Sequence, residues 1–371
     1  MAPEADVSSM GRHVVANGAG LKQDKPINTV HNILPRGPLR PNGVLKDFKS
    51  FDVTPIIGTE FPDSKLTDWM KAPNSDALLR DLAITISRRG VVFFRSQTDL
   101  TDNLQKKLAQ RLGELTEKPS TSSLHIHPLV NFDMDNTSND RNVNVITTDQ
   151  VARPAEDLFV NHVERPLGAR GGWHTDIGYE TCPADYTILN LVALPSTGGD
   201  TLWASSCEIY DKISPAYRQF LETLTASFAQ IRYPITAKAR GFEIYSDERG
   251  SPENIGVSLN AVHPVVRTNP VTGWKSLFAV GNHMQRINGL TTEESRRLHD
   301  WFLQLIVENH DCQLLAIWDN RTVLHSATMD FAGLGPRTGH RVVSIGERPY
   351  MDPNSKTRRE ALAAEAAKLS T

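Results

Sequence analysis

Gly171-Gly172-Trp173-His174-Thr175-Asp176 sets a histidine and a carboxylate two residues apart. On an extended strand, residues i and i+2 share a face, so these two side chains can meet at one point. A metal ion fits that point, and one imidazole with one carboxylate leaves its coordination half built. A second histidine from elsewhere in the chain would complete a face of two histidines and one carboxylate. Twelve histidines and 43 acidic residues also generate such triplets as ordinary surface pairs. The surrounding sequence therefore decides.

The 371 residues allow one large domain or two ordinary ones. Hydrophobic content of 39%, charged content of 22% and a formal net charge of −3 describe an ordinary globular protein. No basic excess points to nucleic acid. No apolar run is long enough to span a bilayer, and Met1 to Lys49 lacks the apolar core of a signal peptide, so no membrane association and a cytoplasmic location are expected. Cys182, Cys207 and Cys312 are widely spaced, without a Cys-x-x-Cys pair, and read as reduced packing residues.

Residues 1–45, rich in Gly and Pro with little periodicity, are expected to form an extended N-terminal arm. A helix is predicted from Ser75 to Arg88, with Leu78, Leu79, Leu82 and Ile86 on one face, then a buried strand at Val91 to Phe94. Thr101 caps a second amphipathic helix. Pro119 to Gly172 turns polar and irregular and reads as a lid or an exposed loop. Strands follow at Tyr186 to Ala193, Thr201 to Ala204, Ser276 to Val280, Gln313 to Trp318, Thr322 to His325 and Arg341 to Ile345. Helices are predicted at Cys207 to Phe228 and Thr292 to Asn309, and the tail from residue 351 reads as a charged helix. Short strands around embedded helices give a mainly β fold, a jelly roll with helical insertions.

The second histidine stands in Trp318-Asp319-Asn320-Arg321-Thr322-Val323-Leu324-His325, followed by Pro336-Arg337-Thr338-Gly339-His340-Arg341. The distant His-x-Asp, the Trp-Asp-Asn-Arg run ending in a histidine and two arginines four apart together resemble the Fe(II)/2-oxoglutarate-dependent taurine dioxygenase (TauD/TfdA) family. Further ordered matches include Gly90 to Arg95, Leu112 to Leu115, His125 to Pro128, Gly198 to Trp203 and His263 to Thr268. The resemblance spans roughly residues 85–350, and implies a double-stranded β-helix (cupin-like) core flanked by helices, within a dioxygenase domain set at 46–350.

Carried over residue by residue, the resemblance makes His174, Asp176 and His325 the iron ligands and catalytic centre. Two imidazoles and a carboxylate leave three positions for a bidentate co-substrate and O2. Related halogenases have a small residue where Asp176 stands, so its carboxylate argues for oxygenation, desaturation or cyclisation. Arg337 matches the fork that grips 2-oxoglutarate, helped by Thr201. Arg341 matches the arginine that holds the substrate's acidic group, with His125 or His127 beside it and Arg170 as a further anion contact. Where taurine dioxygenases tend to have a phenylalanine, this chain has Asn282-His283. An alkyl sulfonate would leave such buried polar groups unpaired, at about 1–3 kcal/mol each, which leaves room for a more polar substrate such as an amino acid.

The expected activity is oxidation of an unactivated C–H bond of a small anionic substrate, a sulfonate or carboxylate, with formation of succinate and CO2. The family also implies a homodimer or homotetramer. Two other readings stand beside it: a non-oxidative enzyme with Zn2+ in the same three ligands, and a non-catalytic small-anion binder on the same scaffold. Arg337 and Thr201 count against the first, because neither is needed without 2-oxoglutarate. Intact ligands and both arginines count against the second.

Overall fold

The computed structural model describes residues 37–129, 140–147, 172–309, 311–312, 316–328, 330 and 334–370. Residues 37–371 cluster as one unit. The expected arm lies mostly in residues 1–36, outside the described residues. At its described end, the Asp81 carboxylate accepts the backbone N–H groups of Asn42, Gly43 and Val44 at 2.7, 2.7 and 3.1 Å.

The first third runs β1 (Phe51–Asp52), β2 (Thr59–Phe61), α1 (Leu66–Lys71), α2 (Ser75–Arg89), β3 (Val91–Phe94), α3 (Asp102–Leu115) and β4 (Asn144–Thr147). Helix α2 buries Leu78, Leu79, Leu82 and Ile86 on the predicted face, each stabilising the fold by about 1.5–3 kcal/mol. Gly90 ends it at φ 75°, where a Cβ would stand 2.4 Å from Val323 Cγ1. Thr101 Oγ1 accepts the Leu104 N–H at 3.4 Å, the expected cap of α3. Part of the expected lid is an edge strand, because three consecutive β-branched residues (Val145, Ile146 and Thr147) favour extended backbone in β4, which pairs with β15 (Thr338–Ile345).

The middle third holds β5 (Ala184–Ala193), β6 (Thr201–Ser205), α4 (Ser206–Lys212), α5 (Pro215–Glu222), β7 (Thr225–Ala229), α6 (Arg232–Arg240), β8 (Asn260–Pro264), β9 (Val266–Thr268), β10 (Lys275–Leu277) and β11 (Met284–Ile287). The single helix expected over Cys207 to Phe228 is instead two helices and a strand. Ile213 is extended at the end of α4, and Pro215, unable to donate a backbone hydrogen bond, opens α5 after Ser214. The strand expected at Ser276 to Val280 stops at Leu277, since Phe278 and Ala279 both donate to the Val265 carbonyl.

The last third contains α7 (Thr292–Val307), β12 (Asp311–Cys312), β13 (Ala316–Asp319), β14 (Val323–Ala327), β15 and α8 (Arg358–Leu369). The strand expected from Gln313 is described only from Ala316. The Thr357/Glu360 capping box starts α8, and Glu365 pairs with Arg88 at 2.7 Å.

A large sheet orders its strands β1-β2-β3-β13-β5-β15-β4, and a smaller one β12-β6-β14. The chain is a mainly β jelly roll with helical insertions. Alternation along β5 divides its two faces. Tyr186 and Ile188 pack with Leu79, Leu82, Leu108 and Leu112 of the helices. Leu189 joins Trp318, Trp203 and Val323 in a cluster between the two sheets. Trp203 and Trp318 meet edge to face there, 6.2 Å apart. Thr187 shares that inner face, which aims its hydroxyl at the site.

Candidate metal centre and its pocket

His174 and His325 exchange backbone hydrogen bonds of 3.0 and 2.9 Å as an isolated antiparallel bridge. Their rings are consequently 4.3 Å apart. His325 sits on β14 opposite Trp203 of β6. His174 Nδ1–H donates to the Gly172 carbonyl at 2.9 Å, which leaves Nε2 with its lone pair. One ligand atom each from His174, Asp176 and His325 lies within 4.8 Å of the other two.

Gly281 makes the close packing around His174 possible. Its φ is +99°, and a Cβ there would lie 2.7 Å from the Trp173 carbonyl oxygen and 3.0 Å from His174 Cα. On the other flank Ile177 takes φ 47°, a costly conformation for a β-branched residue. It turns the chain directly after Asp176.

Asp176 is clamped at three points. Its N–H donates to Asn320 Oδ1 at 3.0 Å, Thr187 Oγ1–H donates to Oδ2 at 2.8 Å, and Arg341 Nη1–H donates to Oδ1 at 2.8 Å. Asn320 Nδ2 donates in turn to Thr187 Oγ1 at 2.9 Å, and the Trp318 indole donates to Asn320 Oδ1 at 3.1 Å. Burial alone would raise the Asp176 carboxyl, but Arg341, the two histidines and Thr187 outweigh it and hold it at about 2. Burial and the neighbouring His174 push His325 down to about 3. Neutral imidazoles with an ionised carboxylate are a donor set suited to divalent iron with open positions.

Arg337 and Thr201 flank the Gly198-Gly199 turn. The Arg337 Nε–H donates to the Gly199 carbonyl at 2.8 Å, and Thr201 opens β6. Gly199 and Thr201 line a cavity of about 360 Å³ together with Leu189 and Leu191. Burial depresses the Arg337 guanidinium, partly offset by Asp200. Arg341 lies on β15 opposite Leu189 of β5.

The remaining expected residues divide. His127 is packed on Tyr233: Leu129 N–H donates to its Nδ1 at 3.2 Å, so its Nε2–H donates to the Tyr233 hydroxyl at 2.9 Å. His283 stands 6.3 Å from His174, ring to ring, and its Nε2 accepts from the Gln230 amide at 3.2 Å. Burial lowers both imidazoles to about 3. His125 is turned toward Glu180 at 3.6 Å, beside the buried Glu180–Arg249 pair. Arg170 lies outside the described residues.

Sequence reasoning did not select Asn320, Thr187, Tyr179 or Tyr233. Asn320 stood inside the quoted Trp-Asp-Asn-Arg run and Tyr179 three residues beyond Asp176, so each carried a local signal. Tyr233 comes from α6, and only the fold brings it to the site. Cys182 and Cys207 are free and buried, and burial raises Cys182 to about 12, which suits inert packing thiols.

A jelly roll with a His-x-Asp and a distant His between its two sheets defines the cupin-like non-haem metal oxygenases. The family model "Taurine catabolism dioxygenase TauD, TfdA family" matches residues 49–343, and the chain belongs to that family. An alpha-ketoglutarate-dependent dioxygenase of Penicillium shearii, esdpJ, is 55% identical over 88% of this chain and 96% of its own length. An alpha-ketoglutarate-dependent sulfonate dioxygenase of Saccharomyces cerevisiae is 30% identical over 81% of this chain and 67% of its own. A crystal structure of a putative alpha-ketoglutarate-dependent taurine dioxygenase from Burkholderia xenovorans superimposes with a TM-score of 0.60 at 21% identity, covering 83% of this chain and 96% of that one. The protein is thus a non-haem Fe(II)/2-oxoglutarate-dependent oxygenase that uses O2. Among the described residues no helix is long and apolar enough to cross a membrane.

Proposed function

We propose that His174, Asp176 and His325 hold the Fe(II), that Arg337 and Thr201 bind 2-oxoglutarate, and that Arg341 holds the acidic end of the substrate. The observation that carries this reading is the convergence of the three ligand atoms within 4.8 Å, with His174 held by Gly172 and Asp176 by Asn320, Thr187 and Arg341. Bound iron with 2-oxoglutarate and O2 supplies the oxidising chemistry, yielding succinate, CO2 and a substrate oxidised at one C–H bond.

The chain's own residues do the positioning. Arg337, buried beside Gly199, offers a planar fork suited to a distal carboxylate, and the Thr201 hydroxyl lines the neighbouring cavity. Arg341 reaches Asp176 from β15, so an acid on this guanidinium stands close to the metal. The substrate class follows the relatives: one is named a sulfonate dioxygenase and another, from Pseudomonas putida, a sulfate ester dioxygenase. A sulfonate or a carboxylate is the acid we assign to Arg341. A homodimer or homotetramer and a cytoplasmic location belong to the same proposal, read by light scattering and by fractionation.

Metal titration tests the ligand assignment. One Fe(II) per chain, lost in each of His174→Ala, Asp176→Ala and His325→Ala while the melting transition persists, is the expected result. Full metal binding in any of the three would contradict it.

A further inference from the structure

Beyond Arg341 four hydrogen-bonding rings in continuous contact form a wall. His283 meets Tyr179 at 5.0 Å, Tyr179 meets Tyr233 at 5.9 Å, and Tyr233 meets His127 at 4.9 Å. The Arg341 charge acts on all four. The Tyr179 hydroxyl is buried, with the residue 1% exposed, and it lies near Tyr233 without forming a hydrogen bond of good geometry. Arg341 Nε is likewise buried without a partner among the described residues.

Donor accounting shows what the wall offers. Because His127 donates to the Tyr233 oxygen, the Tyr233 hydroxyl hydrogen is directed elsewhere, with Tyr179 and Gln230 both within hydrogen-bonding range of it. His283 accepts from Gln230 through Nε2, which leaves Nδ1–H as a donor. Tyr179 can donate and accept. Among the described residues two carboxylates come near this wall, and both are engaged: Asp176 by Arg341 and Thr187, Glu180 by both arms of Arg249. Among the described residues the wall therefore offers donors and no spare carboxylate for an ammonium group.

We infer that Tyr179, Tyr233 and His283 form a subsite for an uncharged oxygen function, a hydroxyl or carbonyl, on an organic acid whose anionic end is held by Arg341. The inference rests on the assignment of Arg341 proposed above. It selects oxygenated acids over amino acids, whose ammonium would meet donors, and over plain alkyl anions, which would leave the Tyr179 hydroxyl buried and unpaired. The sequence-based expectation of an amino acid is thereby narrowed: polarity is required, but without positive charge.

The test holds chain length constant. Anaerobic enzyme loaded with Fe(II) and 2-oxoglutarate is titrated with hexanoate, hexane sulfonate, norleucine, and the hydroxy- and oxohexanoates bearing oxygen at each internal carbon. Binding is read from the perturbation of the chelate absorption band, and turnover from succinate formed in air. At least one oxygenated hexanoate should bind about tenfold more tightly than the other three probes. Tyr179→Phe should narrow that ratio about tenfold, with Tyr233→Phe as a second variant should the first fail to fold. The inference is overturned if norleucine or hexane sulfonate binds as well as the best oxygenated acid, if no oxygenated acid binds, or if the preference survives in the folded tyrosine variants. A chelate band absent before any acid is added would contradict the metal assignment and this inference with it. A band present without oxygen preference contradicts the inference alone.

Discussion

Arg341 Nη1 donates to Asp176 Oδ1 at 2.8 Å, joining β15 to the carboxylate of the metal triad. The pair is nearly enclosed, with the Asp176 side chain 2% and the Arg341 side chain 19% exposed. The proposed substrate anchor and the proposed metal ligand are thus one electrostatic unit.

The two arginines should separate in kinetics. Arg341→Ala should lower substrate-stimulated succinate formation by about 10- to 100-fold, the loss of a charge-assisted hydrogen bond. Arg337→Ala should act mainly on the KM for 2-oxoglutarate. Equal effects on both quantities in both variants would mean the anions are assigned wrongly.

Asn320 holds Asp176 through its backbone N–H and through Thr187. Asn320→Ala should weaken Fe(II) or Co(II) binding by about 10- to 100-fold, as loss of an outer contact to a ligand does elsewhere. Asn320→Asp keeps the acceptor for the Asp176 N–H and should fall between alanine and wild type. Metal affinity unchanged in the folded alanine variant would remove Asn320 from the site.

Gly281→Ala forces a Cβ to 2.7 Å from the Trp173 carbonyl oxygen in a left-handed conformation. A stability loss of about 1–3 kcal/mol is expected, and the displaced His174 should lower metal occupancy. A denaturant melt combined with metal analysis checks both. Wild-type values for the two together would contradict the packing argument.

Acid sensitivity should begin above the carboxylate range. His263 is buried, donates through Nε2 to the Gly178 and Glu180 carbonyls, and is pushed by burial from 6.5 down to about 3. The unfolded chain therefore binds a proton between these values that the folded chain refuses, so stability falls as pH drops from 6.5 toward 3. Glu180 moves in the same direction later: burial opposes ionisation, but His125 and Arg249 hold its carboxyl down, and the stability it contributes is lost as pH falls through the folded value. A folded His263→Gln variant should melt with a flatter dependence between pH 6.5 and 4. An unchanged slope would assign the acid limb to other groups.

The convergence of His174, Asp176 and His325 was readable because the first two stand two residues apart and the third ends a compact run, but the expected strand is not formed: His174 lies in an isolated bridge and Asp176 in the turn that follows. Arg337 and Arg341 are four residues apart on or beside β15. The helix written through Ser214-Pro215 failed because an apolar period of helical spacing masked a proline start and a following strand. His125 lay in a readable motif, yet its orientation depends on Glu180 and Arg249, which are remote in sequence. Tyr233 was invisible for the same reason, since α6 reaches the site only through tertiary packing. Local chemistry was legible; the pocket wall, assembled from separate segments, was not.

We propose that His174, Asp176 and His325 hold iron in a form that chelates 2-oxoglutarate. Anaerobic protein given Fe(II) and 2-oxoglutarate should develop the visible charge-transfer band of that chelate, and His174→Ala should abolish it. Folded, metal-loaded protein that shows no band with 2-oxoglutarate, or a band that survives His174→Ala, would mean that these three residues do not hold the chelated iron.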